Sequence, residues 1–409
     1  MRREAARGSE LALLYKHSES RGRHGRGLAA TNDRTLLLMV TTDLDPVARL
    51  VAAHAQRAEE DGRLPREVVE AIREAGFARH FVPEAWQGER GTFRAYASAV
   101  ASMGEIDASA AWSASIAASM GRMAAYLPAE GQQALWERGP DVFVCGTLQP
   151  AGTAAPSPGG WAISGRWPFV TGVHFSDWAL LTCRTQSTTD GGGELRTFLV
   201  PRSAYSIEET WRSPGMCATG SDTLVVSGAR VPQGCTFARQ TLHDGKPSAA
   251  DGAVYAIAHE AVSGLVFAAP LLGAARGALA EWIRSARHKM TTSRAADQQG
   301  ILALARSSGE IDAAGLLLNQ AASLLDQAPL TELEAASARR DYPVTADLLV
   351  RAVNRLFRSA GSRGVTKGGA FERHWRDMNA ASVHPALTHG QAAEAYAASV
   401  LSQDPLIDA

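Results

Sequence analysis

Apolar residues recur at helical spacing along the chain from about residue 45 to residue 139. Asp45-Pro46 predicts a helix start, with Asp45 as the N-cap and Pro46 at the first helical position. Pro65 opens a second predicted helix, which Gly76 ends. The stretch 95–126 is rich in Ala and Ser, and small side chains allow helices to approach closely. This part of the chain is therefore predicted to be helical.

The pattern changes near residue 143, where short β-branched and aromatic runs replace the helical period. Clusters of turn-forming residues at 156–160 and 190–193 separate these runs. Several short strands at such close spacing predict a small antiparallel sandwich or barrel. The predicted strands are Val142–Leu148, Trp161–Ser164, Trp178–Cys183, Thr197–Val200 and Thr223–Val226.

Long helical segments return after about residue 253, and each is long enough for a helix bundle. They are Ala253–Arg287, Ile301–Ala328 and Tyr342–Ala360, and a Gly-rich stretch at 361–369 follows the last of them. The predicted organisation is a leader at 1–42, a helical domain at 43–142, a β domain at 143–240 and a helical bundle at 241–409.

Composition limits the classes of function. Hydrophobic residues make up 45% of the 409, enough for a large core, and the net charge of −1 argues against a nucleic-acid-binding protein. No apolar run approaches the ~20 residues of a membrane span. The first 38 residues carry about +4 and the other 371 about −5. We expect this basic leader to be disordered, or to precede the true start at Met39; an arm that binds nucleic acid or membrane is the alternative.

Several chemical signatures are missing from the sequence. The four cysteines form no C-x-x-C pair and no metal-ligand spacing with a histidine, so no metal site is expected and a reducing cytoplasm is the default location. There is no G-x-G-x-x-G after a strand, no phosphate-binding loop, no H-E-x-x-H and no G-x-S-x-G. The chain thus has no recognisable means of using NAD(P)H by itself.

Four motifs in a fixed order carry a resemblance to a known family. They are GGWAISGRWPFVTG at 159–172, DWAL at 177–180, PGMCATGSDT at 214–223, and WRD at 375–377 followed by His384. Together they resemble the acyl-CoA dehydrogenase fold over about residues 43–400, and in particular its flavin-dependent monooxygenase branch. The segment 119–128 looks most similar to hydroxylases of aromatic polyketide pathways.

The resemblance implies a mainly α fold with a central β domain. The expected parts are an N-terminal helical domain, a middle antiparallel barrel or sandwich, and a C-terminal four-helix bundle. It implies reduced FMN, or else FAD, as cofactor, O2 as co-substrate, a separate NAD(P)H:flavin reductase as partner, and a homotetramer. The implied flavin contacts are Trp86, Gly146, Thr147, Leu148, Phe169, Val170, Thr171, Arg287, Ser362 and Arg363, with Lys289 as a rival to Arg287.

Two sets of residues are implied for the chemistry itself. The Thr171 hydroxyl would lie near flavin N5, and Met120 and Arg122 would line the substrate pocket in place of the His and Trp of relatives that act on small phenols. In acyl-CoA dehydrogenases a glutamate base occupies the position next to the one that corresponds to His384 in this loop. With an ordinary pKa of ~6.5, His384 would deprotonate a phenol or hydrogen-bond a flavin C4a-hydroperoxide.

The resulting hypothesis is an oxygenase component that hydroxylates an aromatic substrate, such as a polyketide of antibiotic biosynthesis, through the C4a-hydroperoxide. Three alternatives remain open at this point. They are N-oxygenation of an amine or amino sugar on the same fold, a true acyl-CoA dehydrogenase, and a non-catalytic protein that binds a small molecule.

Overall fold

Helices form both ends of the chain and a sheet forms its middle in the computed structural model of the protein. The structure describes residues 45–186, 193–292 and 298–402, so the predicted leader lies outside the described residues. The N-terminal helices are α1 (Asp45–Asp61), α2 (Arg66–Glu74), α3 (Phe93–Gly104), α4 (Ala108–Ala124) and α5 (Ala129–Trp136).

Helix α4 is the central element of the N-terminal part, and all of its residues are buried. Its N-cap, Asp107, accepts a hydrogen bond from the backbone N–H of Ala110. Its Ala- and Ser-rich sequence removes bulk, so α3 and the C-terminal helices can pack around it on several sides.

The middle of the chain folds into one seven-stranded sheet. The strands are β1 (Val144–Ser157), β2 (Gly160–Trp167), β3 (Trp178–Thr185), β4 (Leu195–Pro201), β5 (Ser206–Glu208), β6 (Thr223–Pro232) and β7 (Thr236–Ala238). Their order in the sheet is β5-β6-β2-β1-β3-β4-β7. The five predicted runs all lie in strands, but the all-antiparallel expectation needs one correction. Strand β3 pairs with β1 in parallel, because the chain crosses from β2 to the other side of β1 before β3 begins.

Strand β1 carries the main irregularity of the sheet. Its pairing with β3 shifts register between Thr147 and Gly152, and the prediction ended this strand at Leu148. The residues after Leu148 are Gln, Pro, Ala and Gly, which have low strand propensity, so only their partners in β2 and β3 reveal the continuation.

The C-terminal part begins with the short helix α6 (Arg239–His243) and continues with α7 (His259–Thr292), α8 (Gln298–Leu325), α9 (Glu332–Ala360), α10 (Ala370–Ala381) and α11 (His389–Leu401). The prediction started α9 at Tyr342, because Pro343 resembles a helix start. A capping box formed by Thr331 and Glu334 starts the helix earlier, and Pro343 lies inside it.

Helix α7 is long and apolar enough to cross a membrane by length and composition over His259–His288, and 78% of its most apolar window is buried inside the protein. A core helix of a bundle has the same properties, so this is weak evidence for a membrane span.

Helices α4 and α7 run antiparallel, and this pairing builds the site. The ring of Trp112 lies 4.8 Å from that of Phe267, and farther along α4 the Arg122 guanidinium donates to the carbonyl of Ile257, just before α7. Between these points the Ser115 hydroxyl donates to a carbonyl of α7. The two helices therefore run side by side from the Trp112 end to the Arg122 end.

Candidate active site

The cleft is the seam between α4 and α7, defined by the side chains of both helices that keep some exposure. On α4 the exposure is at most 8%; Trp112, Ile116 and Met120 keep 8%, 8% and 5%, are four residues apart and share one helix face. On α7 the partly exposed residues of the first turns include Ser263 and Phe267, at the same spacing. Trp112 and Phe267 bring the two stripes into contact at one end.

Strand β1 forms a wall of this cleft. The residues before Gly146 are buried, whereas Gly146, Thr147 and Leu148 are all half-buried. A Cβ atom at Gly146 would lie 2.3 Å from the carbonyl oxygen of Leu180 and 3.1 Å from the Met120 sulfur. Glycine is therefore required here by the Leu180 carbonyl, and the Met120 side chain lies directly against this strand.

The second wall is the loop after β2. Phe169 adopts a left-handed backbone with φ of 62° and leaves 70% of its surface exposed, with one edge contact to Trp211. Val170 is fully buried beside it. An exposed aromatic ring held in a rarely populated conformation is typical of a residue that packs against a ligand or another chain.

The hydroxyl group of Thr171 belongs to a chain of hydrogen bonds with a fixed direction. Thr219 donates to the carbonyl of Met216 at 2.8 Å, so its single hydrogen is used. The Ser221 hydroxyl must then donate to Thr219 at 2.8 Å, and the Thr171 hydroxyl must donate to Ser221 at 2.9 Å. The oxygen of Thr171 is left with lone pairs only, so toward the cleft it acts as an acceptor.

His384 lies at the Trp112 end of the cleft. Its ring stacks on Phe267 with 3.6 Å between centroids and meets the edge of Trp112. Its Nδ1 accepts from the backbone N–H of Ala386, so the neutral ring carries its proton on Nε2. Within the described ranges Nε2 has no hydrogen-bond partner, and it is not among the buried unpartnered atoms, so it reaches open space.

The structure corrects the expected titration of His384. Burial against the two aromatic rings lowers the pKa of His384 from 6.5 to about 4. The ring is therefore neutral at neutral pH, and with Nδ1 occupied it presents a donor rather than a base to the cleft. The residue is where the sequence places it, but its chemistry is that of a fixed N–H group.

Two other predicted residues have structural partners. The indole nitrogen of Trp86 donates to the Gln132 side chain at 3.0 Å, and its ring lies near Trp136. Arg122 is turned away from Met120, because residues two apart on a helix face different directions. Its guanidinium donates to the carbonyls of Val254 and Ile257 and anchors the segment that leads into α7.

The remaining predicted flavin contacts do not join this cleft within one chain. Arg287 is exposed and lies 20 residues beyond Phe267 on α7, about 30 Å along a helix. Ser362 is exposed in the turn after α9, and the side chains of Arg363 and Lys289 lie outside the described residues. Arg287 therefore does not reach the cleft of its own chain, and the cofactor contacts that the resemblance implies for Ser362 and Arg363 stay predictions.

Sequence reasoning missed several residues that build the site. Ser221 and Thr219 belong to a quoted motif but had no role, because the fold alone aligns them with Thr171. The sequence around Trp112 and Phe267 predicted helices and no role in a site. His259 was assigned to structure or surface, and the structure places it on the cleft face of α7, four residues before Ser263.

The residues fit a flat aromatic cofactor with a polar edge. Gly146 leaves β1 without a side chain, Phe169 exposes a ring on the loop after β2, and Thr171 supplies an acceptor, which match the two walls and the hydroxyl that the resemblance implies. The N5–H group of a reduced flavin is a donor that matches this acceptor. Within the described ranges, no group of three or more His, Cys, Asp or Glu side chains could hold a metal ion.

Comparison with known proteins agrees with this architecture. The acyl-CoA dehydrogenase N-terminal domain matches residues 44–137, and the C-terminal domain of the same family matches residues 265–389. The chain is 29% identical to the oxygenase component of FADH(2)-dependent resorcinol hydroxylase from Rhizobium sp. (strain MTP-10005), over 88% of this chain and 93% of that protein.

Two solved structures have the same fold. The 3-HSA hydroxylase of Rhodococcus sp. RHA1 superimposes with a TM-score of 0.83 at 25% identity, over 89% of this chain and 97% of that chain. XiaF from Streptomyces sp., in complex with FADH2 and glycerol, superimposes with a TM-score of 0.82 at 24% identity, over 92% and 98%.

Fold and site together define a flavoenzyme built on the acyl-CoA dehydrogenase architecture. The two matched domains cover more than half of the chain, and its homologues are flavin-dependent oxygenase components. The chain belongs to the acyl-CoA dehydrogenase family and, within it, to the flavin-dependent monooxygenases that use reduced flavin and O2. As the oxygenase component of a two-component system, it depends on a separate flavin reductase.

Proposed function

We propose that the protein hydroxylates an electron-rich aromatic ring that carries a phenolic oxygen. The observation that carries this proposal is the Nε2–H group of His384, which is fixed by Ala386 and held in an aromatic cleft beside the flavin wall. A phenolic oxygen is the partner that such a donor selects. The resorcinol hydroxylase similar to this chain is named for a substrate of that class.

Each part of the cleft has a role in the reaction. Reduced flavin, when bound, supplies the electrons with which O2 delivers one oxygen atom to the substrate. Gly146 and Phe169 hold the ring system, and Thr171 accepts from its N5–H edge. Trp112 and Ile116 exclude water from the reacting atoms. The substrate binds as the phenolate, with its proton released to solvent, and the Nε2–H of His384 donates to the phenolate oxygen and stabilises the negative charge that makes the ring electron-rich.

The finer substrate class and the assembly are also proposals. We propose a polyketide or other natural product of antibiotic biosynthesis, because Met120, in the helix where relatives acting on small phenols tend to carry His and Trp, lies directly against Gly146. We propose a homotetramer, because Arg287 and Ser362 are exposed far from the cleft of their own chain. All four cysteines are free thiols, which supports a reducing cytoplasmic location.

The decisive experiment combines the protein with reduced FMN, 18O2 and paired phenolic and amine substrates, and analyses the products by mass spectrometry. The proposal predicts one 18O atom on a ring carbon of a phenol. Label on nitrogen would favour an N-oxygenase instead. Reoxidation of the flavin with no label in any organic product would overturn oxygenase activity.

Thr171 allows a test of the cofactor edge that does not depend on turnover. In Thr171→Val the acceptor is lost, so we expect reduced FMN to bind about tenfold more weakly, while oxidised FMN, which has no N5–H, binds nearly as before. Anaerobic titration gives both dissociation constants. Thr171→Ser keeps the hydroxyl chain to Ser221 and serves as the matched control. Equal weakening of the two redox forms would contradict the assigned hydrogen bond.

A further inference from the structure

A cluster of basic side chains lies at the end of the cleft opposite His384. His259 and Phe267 are eight residues apart on one face of α7, and Met120 and Trp112 are eight apart on α4, so each stripe extends about 12 Å. His384 lies at the Phe267 end. The other end is formed by the first turn of α7, the start of α6 and the β1 wall.

Arg239, at the start of α6, is the centre of this cluster. Its Nη1 donates to the carbonyl of Leu148 on the β1 wall at 3.0 Å, and its Nε donates to Nε2 of His243 at 2.9 Å. His243 then contacts the Glu260 carboxylate through Nδ1. These contacts fix the guanidinium plane and leave its Nη2 group without a partner among the residues that the structure describes. Nη2 is also absent from the buried unpartnered atoms, so it can still donate to a ligand.

The electrostatic environment at this end is positive. His259 has no hydrogen-bond partner in the described parts of the chain, and its nitrogens are not among the buried unpartnered atoms. Burial first, and then the neighbouring basic groups Arg122, His243 and Arg239, together lower the pKa of His259 to about 3. Those three groups therefore lie within electrostatic range of the ring.

The charges present select a singly charged anion. Arg122 and Arg239 are cations that contact no carboxylate in the described residues, since their partners are backbone carbonyls and His243. Glu260 is the acid in direct contact with the cluster, and Asp244 acts on His243 from farther along α6. With neutral histidines, the two arginines and Glu260 sum to about +1. A carboxylate balances that charge, whereas a phosphate dianion would exceed it.

We propose that the Arg239 end of the cleft is a carboxylate-binding subsite, so that the substrate is an aromatic acid whose carboxylate lies about 12 Å from the phenolic oxygen held by His384. This inference rests on the proposed function for the role of His384 as donor to the phenolic oxygen. The apolar stripe of Trp112, Ile116 and Met120 accommodates the part of the substrate between the two polar ends. Arg239 binds the carboxylate through its free Nη2 group, and His259 lies beside it.

The test compares ligands that differ only in charge and in length. Isothermal titration calorimetry on the full chain loaded with oxidised FMN measures the binding of 8-(4-hydroxyphenyl)octanoate, its methyl ester and the shorter 3-(4-hydroxyphenyl)propionate. We expect the long acid to bind at least about tenfold more tightly than its ester, and the short acid to lose this advantage because it cannot reach Arg239. Equal affinities for the long acid and its ester would overturn the subsite.

Variants then locate the effect. Arg239→Met should remove the advantage of the acid over the ester while the affinity for the ester changes little, and Arg239→Lys should keep part of that advantage. Arg230→Met makes the same change at an exposed position of β6 and should leave the advantage intact. An unchanged acid advantage in Arg239→Met would overturn the assignment.

The same ligands separate this inference from the proposed function. If the long ester and the long acid are both hydroxylated and bind with equal affinities, the carboxylate subsite is refuted and the hydroxylase function stands. Tight binding of the acid without 18O incorporation into any probe would refute the hydroxylase and leave the subsite as a binding site.

Discussion

His384→Ala is expected to lower the rate of coupled aromatic hydroxylation by about 100-fold, while FMN still binds and O2 is still consumed. The variant removes the N–H group that, under the proposed function, donates to the phenolic oxygen. Without that donor the electron-rich form of the ring is not stabilised, so oxygen leaves as hydrogen peroxide instead. The measurement is the ratio of hydroxylated product to hydrogen peroxide for each equivalent of reduced FMN oxidised.

The fixed tautomer of His384 makes two further outcomes specific. His384→Gln places an N–H donor near the position of Nε2 and should recover part of the coupling, which a general base could not do. Because the pKa of His384 is about 4, a plot of the coupling ratio against pH should have no step near pH 6.5 that depends on His384. Removal of such a step by His384→Gln would show that the step belongs to this residue. A step of that kind would restore the acid–base role.

His389→Ala is the matched control for this series. His389 is exposed, begins the next helix and pairs with Asp347 on the surface, so its loss should leave coupling unchanged. Full coupling in His384→Ala would contradict the assignment of His384, whatever the behaviour of His389→Ala.

The sequence predicted the order of helices and strands because each element carries its own period. The central strand β1 shows where prediction from sequence periodicity fails. Its first residues, Val144 to Leu148, include the strand formers Val and Thr, whereas the segment after Leu148 contains Gln, Pro and Gly and becomes a strand only through its partners in β2 and β3. The parallel pairing of β1 with β3 likewise depends on a crossover that no local pattern encodes.

Site residues could be predicted where a single sequence motif contains them. They could not be predicted where two separate elements form their environment. Thr171 and His384 stand in recognisable motifs, and their assigned roles toward a flavin stay predictions. The direction of the hydroxyl chain from Thr171 to Met216 depends on a second loop, and the lowered pKa of His384 depends on burial against Phe267 in α7. Arg122 shows the reverse case, because the family resemblance suggested the pocket while two backbone carbonyls hold its guanidinium.

The backbone N–H and carbonyl groups of Met216 connect the site to the C-terminal bundle. Its carbonyl oxygen anchors the hydroxyl chain that ends at Thr171, and its N–H donates to the Asp377 carboxyl on α10 at 2.5 Å. Met216 itself has a left-handed backbone with φ of 57°. The protonation state of Asp377 therefore bears on both the stability of the fold and the geometry of the flavin edge.

Asp377→Asn is expected to remove a large pH dependence from the stability of the protein. Burial, and next the charge of Asp107, raise the pKa of Asp377 from 3.8 to about 7, against the lowering effects of the Met216 N–H, Arg376 and Arg373. Between these two pH values the folded state binds a proton that the unfolded state releases. The contribution of Asp377 is therefore complete below pH 3.8 and is lost as pH rises through 7, a change of up to about 4 kcal/mol.

Urea unfolding between pH 4.5 and pH 8 measures this contribution. The native protein should lose about 3 kcal/mol more than Asp377→Asn across that range, because the Asn amide oxygen still accepts from Met216 but never ionises. Asp312→Asn, at an exposed position of α8, should follow the native protein. Parallel curves for the native protein and Asp377→Asn would mean that Asp377 is ionised throughout. A charged carboxylate, rather than a neutral carboxyl group, would then accept from the N–H of Met216, on whose carbonyl the hydroxyl chain ends.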